Sequence, residues 1–261
     1  MTVTNISMQG MVIGYSLLIF PLAVILWLRI GILKDLLISV VRMTLQLLFV
    51  GFYLQVVFEL NSPWLNALWL LIMILVADLS VTRRCGLRLA PFAGALFLAL
   101  VIGLFVPLLV ILGPILHRPQ TLDAQYAIPL GGMILGNCLR ADVIGFRAFF
   151  QTIRKSEKAY LTALAQGATL SEAVRPYYRD AVSASLAPTI ATMATIGLVA
   201  LPGMMTGVIL GGGNPMVAIR YQILIMLAIF SGTAITIFLA IRLALRVGFD
   251  GYCMLNRGIF R

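Results

Sequence analysis

The chain has 261 residues, of which 61% are hydrophobic and 11% charged, and its mean hydropathy is +1.05. That balance excludes an ordinary water-soluble domain, in which about a quarter of residues are charged, and makes a lipid bilayer the main solvent. The net charge of +10 would suit nucleic acid, but in a membrane protein the placement of Lys and Arg along the loops decides its meaning.

A hydrocarbon core roughly 30 Å thick needs about 20 apolar residues per helix, and the chain offers about seven such runs. The first extends from about Met11 to Leu28 and the second from about Leu36 to Phe58, joined by the basic stretch Arg29 to Lys34 as in a helical hairpin. Met1 to Gln9 hold no Lys or Arg, so no cleaved signal peptide is expected. A third run, Trp64 to Val81, ends at Arg83, Arg84 and Arg88. The fourth, Pro91 to Leu112, ends in the turn-forming Gly113, Pro114, His117, Arg118 and Pro119. The fifth covers about Ile128 to Phe149, followed by the longest polar interval, Gln151 to Asp180. A sixth run, Leu186 to Leu210, and a seventh, Ile219 to Leu243, precede a short basic tail, Arg246 to Arg261.

If successive runs alternate direction, one side holds only Arg118 and Arg220, leaving 17 of the 19 Lys and Arg for the other. By the positive-inside rule the N-terminus is outside and the C-terminus cytoplasmic. The basic balance is then topological, and no nucleic-acid partner is expected. The expected architecture is an all-α polytopic membrane protein of about seven transmembrane helices, one domain over residues 1–261, with a cytoplasmic segment at about 151–182 and the lipid bilayer as its surroundings.

Within that segment, Glu157, Tyr160, Leu161, Leu164 and Ala165 fall on helical spacing before Gly167 stops the helix. Thr169 or Ser171 can cap a second short helix, with Glu172 in its first turn, where a carboxylate suits the positive end of the dipole. Two short helices joined at Gly167 and Ala168 make a knob able to dock on a soluble partner, or else a solvated connector.

Run five carries Asn137, Arg140 and Asp142 at depth, and ionisable groups within a span are costly enough to mark candidate functional positions. Arg140 and Asp142 are two apart and do not face each other on a helix; snorkelling at the interface is the other reading. Met193, Met204 and Met205 offer thioether sulfur suited to soft metals, or they fill gaps as methionine commonly does. Gly132 with Gly136, and Gly203 with Gly207 and Gly211, repeat at the spacing that lets helices approach closely in lipid. Pro188 and Pro202 are expected to bend the sixth helix. Cys85, Cys138 and Cys253 are scattered and odd in number, and His117 is the sole histidine. Neither a His-Cys metal spacing nor a catalytic constellation is expected. No G-x4-G-K-[ST] occurs, so the chain is not expected to hydrolyse ATP.

The cytoplasmic pattern of Glu157, Ala163, Gly167, Ala168, Glu172 and Ala173 resembles the coupling segment of ABC permeases. Three further stretches, VRMTLQLLFVGFYLQ ending at Gln55, PLGGMILGN from Pro129 to Asn137, and GLVALPGMMTGVILGGGNPMVAIRYQILIM from Gly197 to Met226, together resemble the FetB family of small ABC permeases. Arg140 and Asp142 depart from the small or apolar residues expected there. The resemblance implies a permease homodimer in the cell (inner) membrane, exporting iron or another metal species. It also implies that Glu157, Ala163, Gly167, Ala168 and Glu172 meet an ABC ATPase subunit, which binds Mg-ATP while this chain binds no cofactor. A nucleotide sugar or other anion is the alternative cargo, with Arg140 as counter-charge. A non-transporting scaffold or channel is the alternative class.

Overall fold

A computed structural model describes residues 7–86, 88–117, 122–256 and 258, and among these the chain is helical without β-strands. Six helical stretches are long and apolar enough to cross a membrane. The first joins α1 (Met8–Tyr15) to α2 (Ile19–Trp27) through a 3-10 turn. The others are α3 (Leu33–Leu60), α4 (Pro63–Arg84), α5 (Leu89–Val110, continued by a π turn), α6 (Ala124–Lys155) and α10 (Pro215–Gly248). Between α6 and α10 lie α7 (Glu157–Ala165), α8 (Leu170–Thr195) and α9 (Gly203–Leu210). Arg118 and Pro119 lie outside the described residues.

Local chemistry sets the ends of these helices. The Asp123 side chain accepts from the Gln125 N–H at the start of α6, and Arg154 and Lys155 sit in its last turn, where cations suit the dipole. Asn214 accepts from Met216 N–H ahead of Pro215, which needs no partner at the first helical position. Asn61 closes α3 with φ +34, a left-handed conformation that Asn tolerates.

The core is a bundle of α4, α5, α6 and α10. Helix α5 is apolar on every face and supplies Phe92, Leu96, Ala99, Leu100, Leu104 and Leu108, all buried, as expected of a helix surrounded by protein. Its crossing with α10 is a contact of backbones: a Cβ on Gly232 would stand 2.8 Å from the Gly103 carbonyl oxygen, and one on Gly103 3.0 Å from that of Gly232. Helices α4 and α6 run parallel, since Leu70 meets Gly131 and Met73 meets Gly132 while Cys85 meets Val143. At their shared basic end the Arg147 Nε donates to the Arg84 carbonyl (3.1 Å).

The expected sixth run is not one helix. Helix α8 ends at Thr195, residues 196–202 are extended or turned, and α9 begins at Gly203. Gly197 has φ +84 and its N–H donates to the Ala200 carbonyl at 3.0 Å. Pro202, which cannot donate, stands as the N-cap of α9. Pro188 lies within α8, as does Pro176. The second short helix expected after Gly167 is also longer than its local signals implied, because α8 passes without a stop from the polar interval into the membrane run.

Candidate functional site

The polar interval folds into an elbow at the basic end of the bundle. Gly167 takes φ +92, which costs glycine nothing and strains other residues. Thr169 then caps α8 in a capping box: its hydroxyl accepts from Glu172 N–H (3.4 Å) and its own N–H donates to Glu172 Oε2 (2.8 Å). The Thr169 hydroxyl and N–H hold the Glu172 carboxyl below its usual range. Glu157 opens α7, Ala163 and Ala168 are half-buried at the bend, and Ala173 is buried. Tyr160, 2% exposed, donates its hydroxyl to the Cys253 carbonyl at 2.6 Å and packs beside Tyr177 and Phe249. Burial pushes that phenol up to about 12, with Cys253, Asp250 and Tyr177 adding to the effect. The C-terminal tail is thereby tied to the elbow.

A cleft of about 470 Å³ opens among α6, α8, α9 and α10. It brings together Asn137 and Arg140 of α6, halfway along that helix, with Met204 of α9. Thr189, Thr192 and Thr195 of α8, the broken segment 196–202 and Gln222 of α10 complete its wall. Asn137 Nδ2 donates to the Met133 carbonyl (2.8 Å). Ser185, Thr192 and Thr195 donate their hydroxyl hydrogens to carbonyls of their own helix. Among the described residues no Asp or Glu lines the cleft.

The remaining candidate residues are distributed elsewhere. Asp142 is wholly buried on the opposite face of α6, beside Thr236 of α10, with neither carboxylate oxygen hydrogen-bonded. Met193 and Met205 line a neighbouring apolar cleft of about 510 Å³, so the three thioethers do not converge. Gly132 packs on Met73, whereas Gly136, Gly203 and Gly207 face open space and Gly211 meets only carbonyls of the preceding turn of α9. The closest approaches between helices use Gly103, Gly131, Gly145 and Gly232 instead. Among the described residues no group of three or more His, Cys, Asp or Glu is placed to hold a metal ion.

Gln222 was missed in the sequence. It is 8% exposed, its Oε1 has no hydrogen-bond partner, and it borders both clefts. The available signal was an amide within the seventh apolar run, a position where polar atoms need partners.

A helical bundle with apolar outer faces and six helical stretches long enough to span a bilayer defines a polytopic membrane protein. The match that gives its family covers residues 8–249, and the chain belongs to that family, described as "Uncharacterised protein family (UPF0014)". Similar proteins include "UPF0014 membrane protein slr1647" of Synechocystis, 38% identical over 208 residues, or 80% of each chain. "Protein ALUMINUM SENSITIVE 3" of Arabidopsis thaliana is 33% identical over 225 residues, covering 85% of this chain and 81% of its own. "Probable iron export permease protein FetB" of Escherichia coli is 29% identical over 242 residues, covering 93% and 92%. No solved structure matches the chain.

Proposed function

We propose that the chain is the membrane-spanning permease subunit of an ABC-type transporter. It works as a homodimer in the cell (inner) membrane, with its N-terminus outside, its C-terminus cytoplasmic, and Mg-ATP hydrolysed on a separate ATPase subunit. The observation that carries this reading is the elbow of Glu157, Ala163, Gly167, Ala168 and Glu172, capped and tied by Tyr160 at the basic end and continuous through α8 with the wall of the cleft. A solvated connector needs neither the capping box nor the buried tyrosine.

The name of the Escherichia coli relative supports iron or another metal species as cargo. A second reading, a nucleotide sugar or other anion, is favoured by a cleft that contains a guanidinium and no carboxylate. The test of the machine is to purify the tagged protein from its native cells in mild detergent, identify its companions, and measure Mg-ATP hydrolysis with and without iron. A co-purifying ATPase is the expected result, and Gly167→Val, strained at φ +92, is expected to lose it. Repeated absence of any ATPase from intact protein overturns the reading in favour of a scaffold or channel.

A further inference from the structure

We propose that the cleft is an anion site in which Arg140, the Gln222 amide and the free N–H groups at the start of α9 hold a carboxylate or phosphate group. Calling that group part of the cargo rests on the permease reading; the site itself does not.

Three independent observations converge on it. First, Arg140 makes no hydrogen bond or ion pair with any described residue, and no Asp or Glu lines the cleft to neutralise it. A guanidinium presents five donors in a fork that fits a carboxylate or phosphate. Second, α9 begins at Gly203 behind Pro202, so the N–H groups of Gly203 and Met204 have no acceptor among the described residues while both residues border the cleft. A helix start with unpaired N–H groups favours negative charge. Third, Gln222 is nine-tenths buried at the same place, and no hydrogen bond joins its amide to a described residue; its Nε2 hydrogens are donors that an anion can accept, while its Oε1, an acceptor, calls for a donor such as a water or a ligand hydroxyl.

The same chemistry argues against a bare cation. Its ligands there would be side-chain amide and hydroxyl oxygens and the thioethers of Met133, Met204 and Met226, under the field of Arg140. Divalent metals prefer carboxylate, imidazole or thiolate ligands, and the guanidinium of Arg140, exposed in the open cleft, repels a cation with no carboxylate there to offset it. A metal is compatible with this cleft when it travels inside a complex of net negative charge, so the free anion and the anionic metal complex share one mode of recognition.

The test is calorimetric titration of the full-length protein in lipid nanodiscs with four probes: inorganic phosphate, citrate, ferric citrate and Fe2+ alone. The anions are expected to bind the wild type, more weakly as salt rises, while Fe2+ alone neither binds in the cleft nor competes with citrate. Arg140→Gln should weaken anion binding roughly tenfold or more, as loss of a charge-assisted bond does. Gln222→Leu should weaken it less, and Lys34→Gln, remote on α3, should leave it unchanged. Tighter binding of ferric citrate than of citrate supports the site with a metal complex as ligand; equal binding supports it with the free anion. The site is overturned if no anion binds, if anions bind the wild type and Arg140→Gln alike, or if Fe2+ alone binds irrespective of Arg140. Because the titration needs no ATPase, failure of the site leaves the permease reading standing, and absence of an ATPase leaves the site standing.

Discussion

The bundle of α4, α5, α6 and α10 and the N-terminal helices α1 to α3 are equally apolar but are held in different ways. In the bundle, Phe92, Phe146, Phe149 and Phe150 meet ring to ring, and the backbones of α5 and α10 touch. Along α3, 28 residues long, only Val57 is buried, and its anchor is local. Tyr53 stacks on Trp69 with ring centroids 4.0 Å apart. Asn61 Oδ1 accepts from Ala124 N–H (2.9 Å) and Asn66 Nδ2 donates to the Leu122 carbonyl (2.8 Å). Lipid tails are as apolar as leucine, so an exposed hydrophobic face carries no penalty in a bilayer and helices associate through close packing and hydrogen bonds. Hydrophobicity therefore places a helix in the membrane, and shape places it in the bundle.

The largest effect is expected where shape matters most. Phe146→Ala, which removes a ring packed on both Phe92 and Phe150, should cost about 3–5 kcal/mol in unfolding from detergent micelles. Gly232→Leu would force α5 away from α10 and should cost about 1–3 kcal/mol, detected as a lower unfolding midpoint. Tyr53→Ala should cost about 1 kcal/mol and expose the turn between α3 and α4 to protease while the bundle keeps its midpoint; a bundle that unfolds with it would erase the distinction between the regions. Thr169→Ala removes a cap and should cost about 1 kcal/mol of helix stability at the elbow. The smallest effect is that of Phe52→Ala on the outer face of α3, within about 0.5 kcal/mol.

Acid provides a check confined to the elbow. The folded state holds Glu172 below its ordinary range, so its contribution is whole above the unfolded-chain value and fades as pH falls through the lower folded value. Glu172→Gln keeps an acceptor for the capping box without a titrating proton. It should flatten the acid-induced loss of protection at residues 169–173 measured by hydrogen exchange.

Six of the seven runs legible in the sequence became helices long and apolar enough to span, because composition and length alone decide that step. The split between Arg140 and Asp142 also followed from helical periodicity, as two residues apart is more than half a turn. Which face points inward did not follow: Arg140 opens to the cleft and Asp142 enters the core because of where α10 packs, which no local pattern encodes. The break at residues 196–202 was hidden for a different reason. Its Ile, Leu, Val and Ala residues sustain the hydropathy of a span, and Gly197 with Pro202, five positions apart, are the sole local marks of interruption. Gly103, Gly145 and Gly232 do fall on small-residue spacing, with Ala99, Ala141 and Ala228 four residues before them, but a search confined to glycine pairs passes over them, and the partners they meet single them out.

The uninterrupted passage of α8 has a mechanical meaning. At 1.5 Å per residue its 26 residues form a rod about 39 Å long, with one end seated in the elbow at Thr169 and the other at the broken wall beside Gln222. The same helix thus joins the elbow to the wall of the cleft without an intervening loop. Pro176 and Pro188 each remove one backbone hydrogen bond from it. On the permease reading proposed above, a displacement of the elbow would reach the segment that bears Ile196 and Pro202 through this one helix.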